Sequence, residues 1–293
     1  SIFRSSSGLW AIRGITRVYF GSASDIPASG DYDGDGSSDI SIFRPSSGLW
    51  AIKGVTRAYF GGASDTAVPG DYDRDGVCEV GIFRKSSGLW AIRGVTRAYF
   101  GGAADRPVPG YFQGKAHKDI AIFRPSSGLW AIRGVTRAYF GSYADWPAPA
   151  DYAGIGAEDI GLFRSQSGLW ALKGISRTYF GGSSDRAVPG DYTGSGTSGI
   201  GIFRETSGLW AVKGTTRVYF GGSGDLPLGA PPCRPLTPTP TPTITPPPSP
   251  HPTCSVMPTI PATPVPTFSP TPTVPVIPTP TPTPIMTPVP LPT

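Results

Sequence analysis

The 293-residue sequence carries only three cysteines, two histidines and two methionines. Cys78, Cys233 and Cys254 are too few for a disulfide framework. His117 and His251, even counted with those thiols, leave no inventory for a zinc cluster or for a Cys/His or Ser/His triad. No run of 18 apolar residues occurs, so the sequence predicts no spanning helix and no membrane insertion. The net charge is +5, from 25 basic and 20 acidic residues, a small excess that does not mark a nucleic-acid binder. The sequence opens at Ser1 with no charged-then-apolar leader, so no secretory signal is read in it, though one could have been removed.

One more absence divides the chain. No glycine lies beyond residue 230, whereas 25 of the 35 prolines do. All 40 glycines therefore belong to residues 1–230, and residues 231–293 are a Pro/Thr-rich segment whose single formal charge is Arg234. Proline fixes φ and removes an N–H donor, so this segment is expected to be a disordered, polyproline-II-rich stalk or linker. Such a composition also suits an O-glycosylated spacer. Cys233 and Cys254 could join each other or another chain.

Residues 1–230 repeat with a period of 40. Trp10, Trp50, Trp90, Trp130, Trp170 and Trp210 mark the six copies, and Phe3-Arg4, Tyr19-Phe20-Gly21 and Asp25 recur at the same interval. No copy holds ten residues free of Gly and Pro with a 3.6-residue apolar period, which excludes helical repeats. Each copy instead offers four short runs rich in β-branched and aromatic residues. In the first full cycle they cover 26–32, 40–44, 49–52 and 56–60, with Pro45-Ser46-Ser47-Gly48 and Lys53-Gly54 supplying turn chemistry between them. Four antiparallel strands per 40 residues predicts a propeller blade. The fold expected is all-β: a six-bladed β-propeller of four-stranded antiparallel blades. The chain begins in the second strand of a unit and leaves after a first strand, so residues 222–230 are expected to complete the first blade and close a monomeric ring.

Between the first two strands stands the most specific chemistry. One copy reads Asp31-Tyr32-Asp33-Gly34-Asp35-Gly36-Ser37-Ser38-Asp39, the next Asp71-Tyr72-Asp73-Arg74-Asp75-Gly76-Val77-Cys78-Glu79. Acids at positions 1, 3, 5 and 9 with Gly at 6 are the spacing of a calcium loop, because calcium takes 6–8 hard oxygens and the glycine permits a sharp turn. Asp31, Asp33, Asp35 and Asp39, and Asp71, Asp73, Asp75 and Glu79, are the candidate ligands, with Ser37 and Val77 lending backbone carbonyls. No flanking helix is read, which sets the loop apart from a helix–loop–helix hand. The other copies have lost acids. Residues 111–119 carry Gln113, Lys115 and His117, with Lys115 a candidate mimic of the lost cation; residues 151–159 keep Asp151 and Asp159; residues 191–199 keep Asp191. Two calcium ions are expected, not six.

The unit resembles the FG-GAP/VCBS-type repeat of integrin-α-like β-propellers, through Tyr59-Phe60-Gly61, Val68-Pro69-Gly70 and Asp71 to Glu79. The resemblance covers residues 1–230. It implies an extracellular or cell-surface propeller, calcium in the inter-strand loops, and adhesion or ligand binding rather than catalysis. The unit is shorter than the integrin one, the blades number six rather than seven, and most loops lack the acids. A calcium-stabilised binding module for a carbohydrate or protein ligand is therefore the expected function. A ligand-free spacer domain and a propeller polysaccharide hydrolase or lyase are the alternatives.

Surface patterning is less specific. Arg4, Arg13 and Arg17 and their equivalents form a recurring basic set, either a ring for polyanions or partners for the recurring Asp25. The recurring Trp is expected in the inter-blade core. Two positions vary among the near-identical copies and are expected to be exposed. They are Ile26, Thr66, Arg106, Trp146, Arg186 and Leu226, and Ser5, Pro45, Lys85, Pro125, Ser165 and Glu205.

Overall fold

The computed structural model of the protein describes residues 1–114 and 117–229. The expected stalk over 231–293 lies outside them. Twenty-four short strands form six four-stranded antiparallel sheets, which is a six-bladed β-propeller. In the second blade the strands are Ile26–Pro27, Ser41–Arg44, Leu49–Ile52 and Thr56–Tyr59, hydrogen-bonded in chain order. Three of these match the sequence reading to within one residue. The first run, expected over 26–32, is a strand only at Ile26–Pro27. Pro27 offers no N–H to the ladder, and the chain then turns inward so that the Tyr32 hydroxyl donates to the Ala28 carbonyl at 2.6 Å.

The core lies between blades. Register places Ile42 opposite Ala51 and Phe43 opposite Trp50, so each sheet has one large aromatic face and one small aliphatic face. Phe43 and Trp50 pack on Ile82 and Ala91 of the following blade, and Phe203 and Trp210 pack in the same way on Ile2 and Ala11. Each blade thus buries its neighbour. The Phe–Trp ring centroids lie 5.0–5.3 Å apart in all six blades, a contact that adds ~0.5–1.5 kcal/mol to area burial. The indole N–H finds a partner as well: Trp50 Nε1 donates to the Phe60 carbonyl at 3.0 Å. That approach requires Gly48, which sits at φ +69° and where a Cβ would stand 2.4 Å from the Gly61 oxygen.

The ring closes across the termini. Asp225–Pro227 pairs with Ile2–Arg4, Phe3 opposite Leu226, and the Leu228 N–H donates to the Ser1 carbonyl at 3.0 Å. The first blade is therefore built from both ends of the described chain.

Candidate functional site

The first strands of the blades converge on the propeller axis. Ile26, Thr66, Arg186 and Leu226, from four different blades, line one cavity of about 800 Å³. A second, of about 520 Å³, is lined by Lys118, Asp151, Glu158, Asp191 and Ser198 among others. The position that varies at Ile26 and its equivalents is thus a ring on the inner strands. In all six blades it has the same register, opposite the buried Phe of the second strand.

The recurring Asp25 is almost fully buried and pairs with one of the three recurring basic residues. Arg44 Nε and Nη2 donate to its two oxygens at 2.7 and 2.8 Å, and the equivalent pair occurs in every blade. Burial raises the Asp25 carboxyl, but the hydrogen bonds from Arg44 and Ser22 outweigh it and hold the group below the ordinary carboxylate range. One third of the recurring cations is therefore structural.

The acidic loops follow the inner strands. Asp31 Oδ1 accepts the Gly34 N–H at 2.8 Å and Oδ2 the Gly36 N–H at 2.9 Å, while Asp39 Oδ2 accepts the Tyr32 N–H at 2.8 Å. Asp71 holds the Arg74 and Gly76 N–H groups at 2.6 and 3.1 Å, and Glu79 holds that of Tyr72 at 2.7 Å. Gly36 and Gly76, at loop position 6, have φ +87° and +90°, the turn expected of them. One ligand oxygen each of Asp71, Asp73, Asp75 and Glu79 lies within 4.8 Å of the others, and Asp31, Asp33 and Asp39 form the same kind of set. Asp35 is outside the first set; its Oδ1 accepts the Ser37 N–H at 2.7 Å.

Electrostatics marks these sets as crowded. Burial first, and then the neighbouring Asp73, Asp71 and Asp75, push Glu79 up to about 7. Burial also raises Asp39 and Asp71, reinforced by the other carboxylates of their own loops.

The degenerate loops separate scaffold from ligand. Asp151 still holds the Ile155 and Gly156 N–H groups at 3.0 and 2.7 Å, and Asp159 that of Tyr152 at 2.9 Å, although neither position 3 nor position 5 is acidic there. Asp151 and Asp159 thus keep their loop hydrogen bonds without acids at positions 3 and 5. The exposed Asp33, Asp35, Asp73 and Asp75 are the residues that distinguish the acid-rich loops. In the third loop Gln113 Nε2 donates to Asp119 Oδ1 at 2.6 Å, and Asp119 Oδ2 is buried with no partner. Lys115, the expected cation mimic, lies outside the described residues.

Sequence reasoning missed position 8 of these loops. Its N–H donates to a carbonyl of the preceding blade's loop: Cys78 to Asp31 at 2.6 Å, Lys118 to Asp71 at 2.5 Å, Glu158 to Tyr111 at 2.9 Å and Ser198 to Asp151 at 2.7 Å. The loops are chained around the ring. The position-8 side chains need space on the preceding blade as well. A Cβ on Gly30 would meet Cys78 Sγ at 2.9 Å, one on Gly70 would meet Lys118 Cδ and one on Gly110 would meet Glu158 Oε2; Ala150 stands where the next loop carries only Ser198. Cys78 is buried and disulfide-bonded, which the cysteine count alone did not reveal.

No protein-family model, curated protein or solved structure matches the chain.

Proposed function

We propose that this propeller is a calcium-stabilised extracellular binding or adhesion module, displayed on a Pro/Thr-rich spacer, with a carbohydrate or protein ligand. One observation carries the reading: four carboxylates of one nine-residue loop present oxygens within 4.8 Å of one another, with no His or Cys among them. An all-oxygen anionic donor set suits a hard divalent cation, and a cation relieves the repulsion that raises Glu79. Asp71, Asp73, Asp75 and Glu79 hold one ion with the Val77 carbonyl. Asp31, Asp33 and Asp39 hold the other with that of Ser37. Each ion ties together a loop whose backbone already contacts the next blade, so calcium acts as a local staple of the ring. The disulfide at Cys78 fits an oxidising compartment.

A ligand array of glycans and extracellular proteins, run in calcium and after chelation, tests the reading. The module predicts calcium-dependent retention of a ligand class; a blank array in calcium favours the ligand-free spacer.

A further inference from the structure

The blades are near-copies, so a blade that departs from the rest at exposed positions carries information the repeat does not. The fifth blade does so twice. Where the other units have Ala23, Ala63, Ala103, Ser183 and Ser223, it has Tyr143, 80 % exposed. At the variable inner-strand position it has Trp146, 55 % exposed, whereas the six recurring tryptophans are buried. Folding gives no return for exposing two large aromatics three residues apart.

A cation from the preceding blade completes the cluster. The Arg106 guanidinium carbon stands 4.0 Å from the centroid of the Trp146 ring, and Nη1 donates to the Asp145 carbonyl at 3.1 Å. Among the described residues Arg106 makes no ion pair, whereas Arg186 at the equivalent position is paired with Glu205 at 2.8 Å and the six arginines at the Arg4 position are paired with buried aspartates. Tyr143 stands two residues before Asp145, whose carbonyl holds Arg106. Two exposed aromatics, Trp146 on the inner strand and Tyr143 in the turn before it, therefore stand with a guanidinium that is fixed by stacking and by a backbone hydrogen bond and makes no ion pair.

We propose that Tyr143, Trp146 and Arg106 form a binding site for an acidic saccharide, a uronic-acid unit that stacks its ring on the aromatics and places its carboxylate on Arg106. The inference rests on the binding-module reading and names its site and ligand class. An aromatic face accepts the apolar face of a pyranose, and a planar guanidinium accepts a carboxylate in bidentate fashion. Fixing Arg106 in advance lowers the entropy lost on binding. A single-stranded nucleic acid also stacks on aromatics but needs a basic track along its phosphates. The rest of the ring does not supply one: Ile26, Thr66 and Leu226 are uncharged and Arg186 is paired.

The test is calorimetric titration of the full chain, in calcium, with tetramers of galacturonic, glucuronic and mannuronic acid and with their methyl esters, in which a methyl group removes the carboxylate charge. At least one acid tetramer binds, and its ester binds about tenfold or more weakly, a 1.4 kcal/mol difference. Trp146→Ala lowers acid affinity by at least about tenfold at an unchanged melting temperature. Arg106→Gln abolishes the preference for acid over ester, and Thr66→Ala changes neither. Absence of binding to all acid tetramers, equal binding of acid and ester, or wild-type affinity in Trp146→Ala overturns the proposal. The ligand array separates this failure from that of the module reading. An array ligand retained by the double variant Trp146→Ala/Arg106→Gln overturns the site alone, whereas a blank array overturns both.

Discussion

Arg4 donates two hydrogen bonds to Asp225, at 2.7 and 3.0 Å, across 221 positions of sequence. The same contact within a single blade, as between Arg84 and Asp65, joins residues 19 apart. One repeated interaction thus serves as a local clip five times and as the ring closure once.

Closure makes the last strand indispensable. Removing residues 222–229 takes away the partner of Ile2–Arg4 and is expected to lower the melting temperature by more than about 10 °C. The milder Asp225→Ala removes the Arg4 and Gly222 hydrogen bonds and should cost ~1–3 kcal/mol, because Arg4 is left partly solvated rather than buried. Thermal melts in calcium check both.

The Arg–Asp ring sets an acid limit. Asp25 and Asp145 are raised by burial but lowered further by their arginine and serine hydrogen bonds, so their folded pKa values lie below the unfolded ones. Their stabilisation is present above the ordinary Asp value of about 3.9 and is lost as pH falls through the folded values. Melting temperature should owe no slope to these groups above about pH 5 and should fall below about pH 4. Asp145→Asn should be less stable at pH 6 and show a shallower acid limb.

Scaffold and ligand acids should separate on mutation. Asp73→Asn with Asp75→Asn leaves the loop hydrogen bonds of Asp71 and Glu79 in place, so melting in chelator is expected to stay within ~0.5 kcal/mol of wild type while the gain from calcium at that loop disappears. Asp71→Ala, which frees the Arg74 and Gly76 N–H groups, should destabilise by ~1–3 kcal/mol with or without calcium. Differential scanning calorimetry in calcium and in chelator distinguishes the two patterns.

Arg74 is the one described non-glycine residue with positive φ, at 76°, where the first loop has Gly34. Arg74→Gly should relieve ~1 kcal/mol of backbone strain and remove a positive charge from an acid cluster. We expect tighter calcium binding, read by calorimetry.

Much of this was legible in the sequence. Trp50 and Phe43 recur every 40 residues because each blade must present the same large face to its neighbour, and that period, with four short β-rich runs, fixes a propeller. Strand placement at Ser1 and Asp225 foretold the closure. The acid spacing located both carboxylate clusters, though not the exclusion of Asp35 from the first. The chemistry at the inner strands was less legible. Those strands are only two or three residues long and carry no alternation to read, so Trp146 and Arg106 registered only as variable, exposed positions, and Lys118 and Cys78 only as lost or leftover residues. The length of the first strand was misread because the run from Ile26 looks β-rich while Pro27 cannot donate to a ladder.

Titration of chelator-stripped protein with calcium tests the central claim most directly. The account predicts two ions per chain, falling to one in the Asp73→Asn/Asp75→Asn variant, with a higher melting temperature when loaded. A stoichiometry near zero, or near five, or a wild-type titration in that variant, contradicts it.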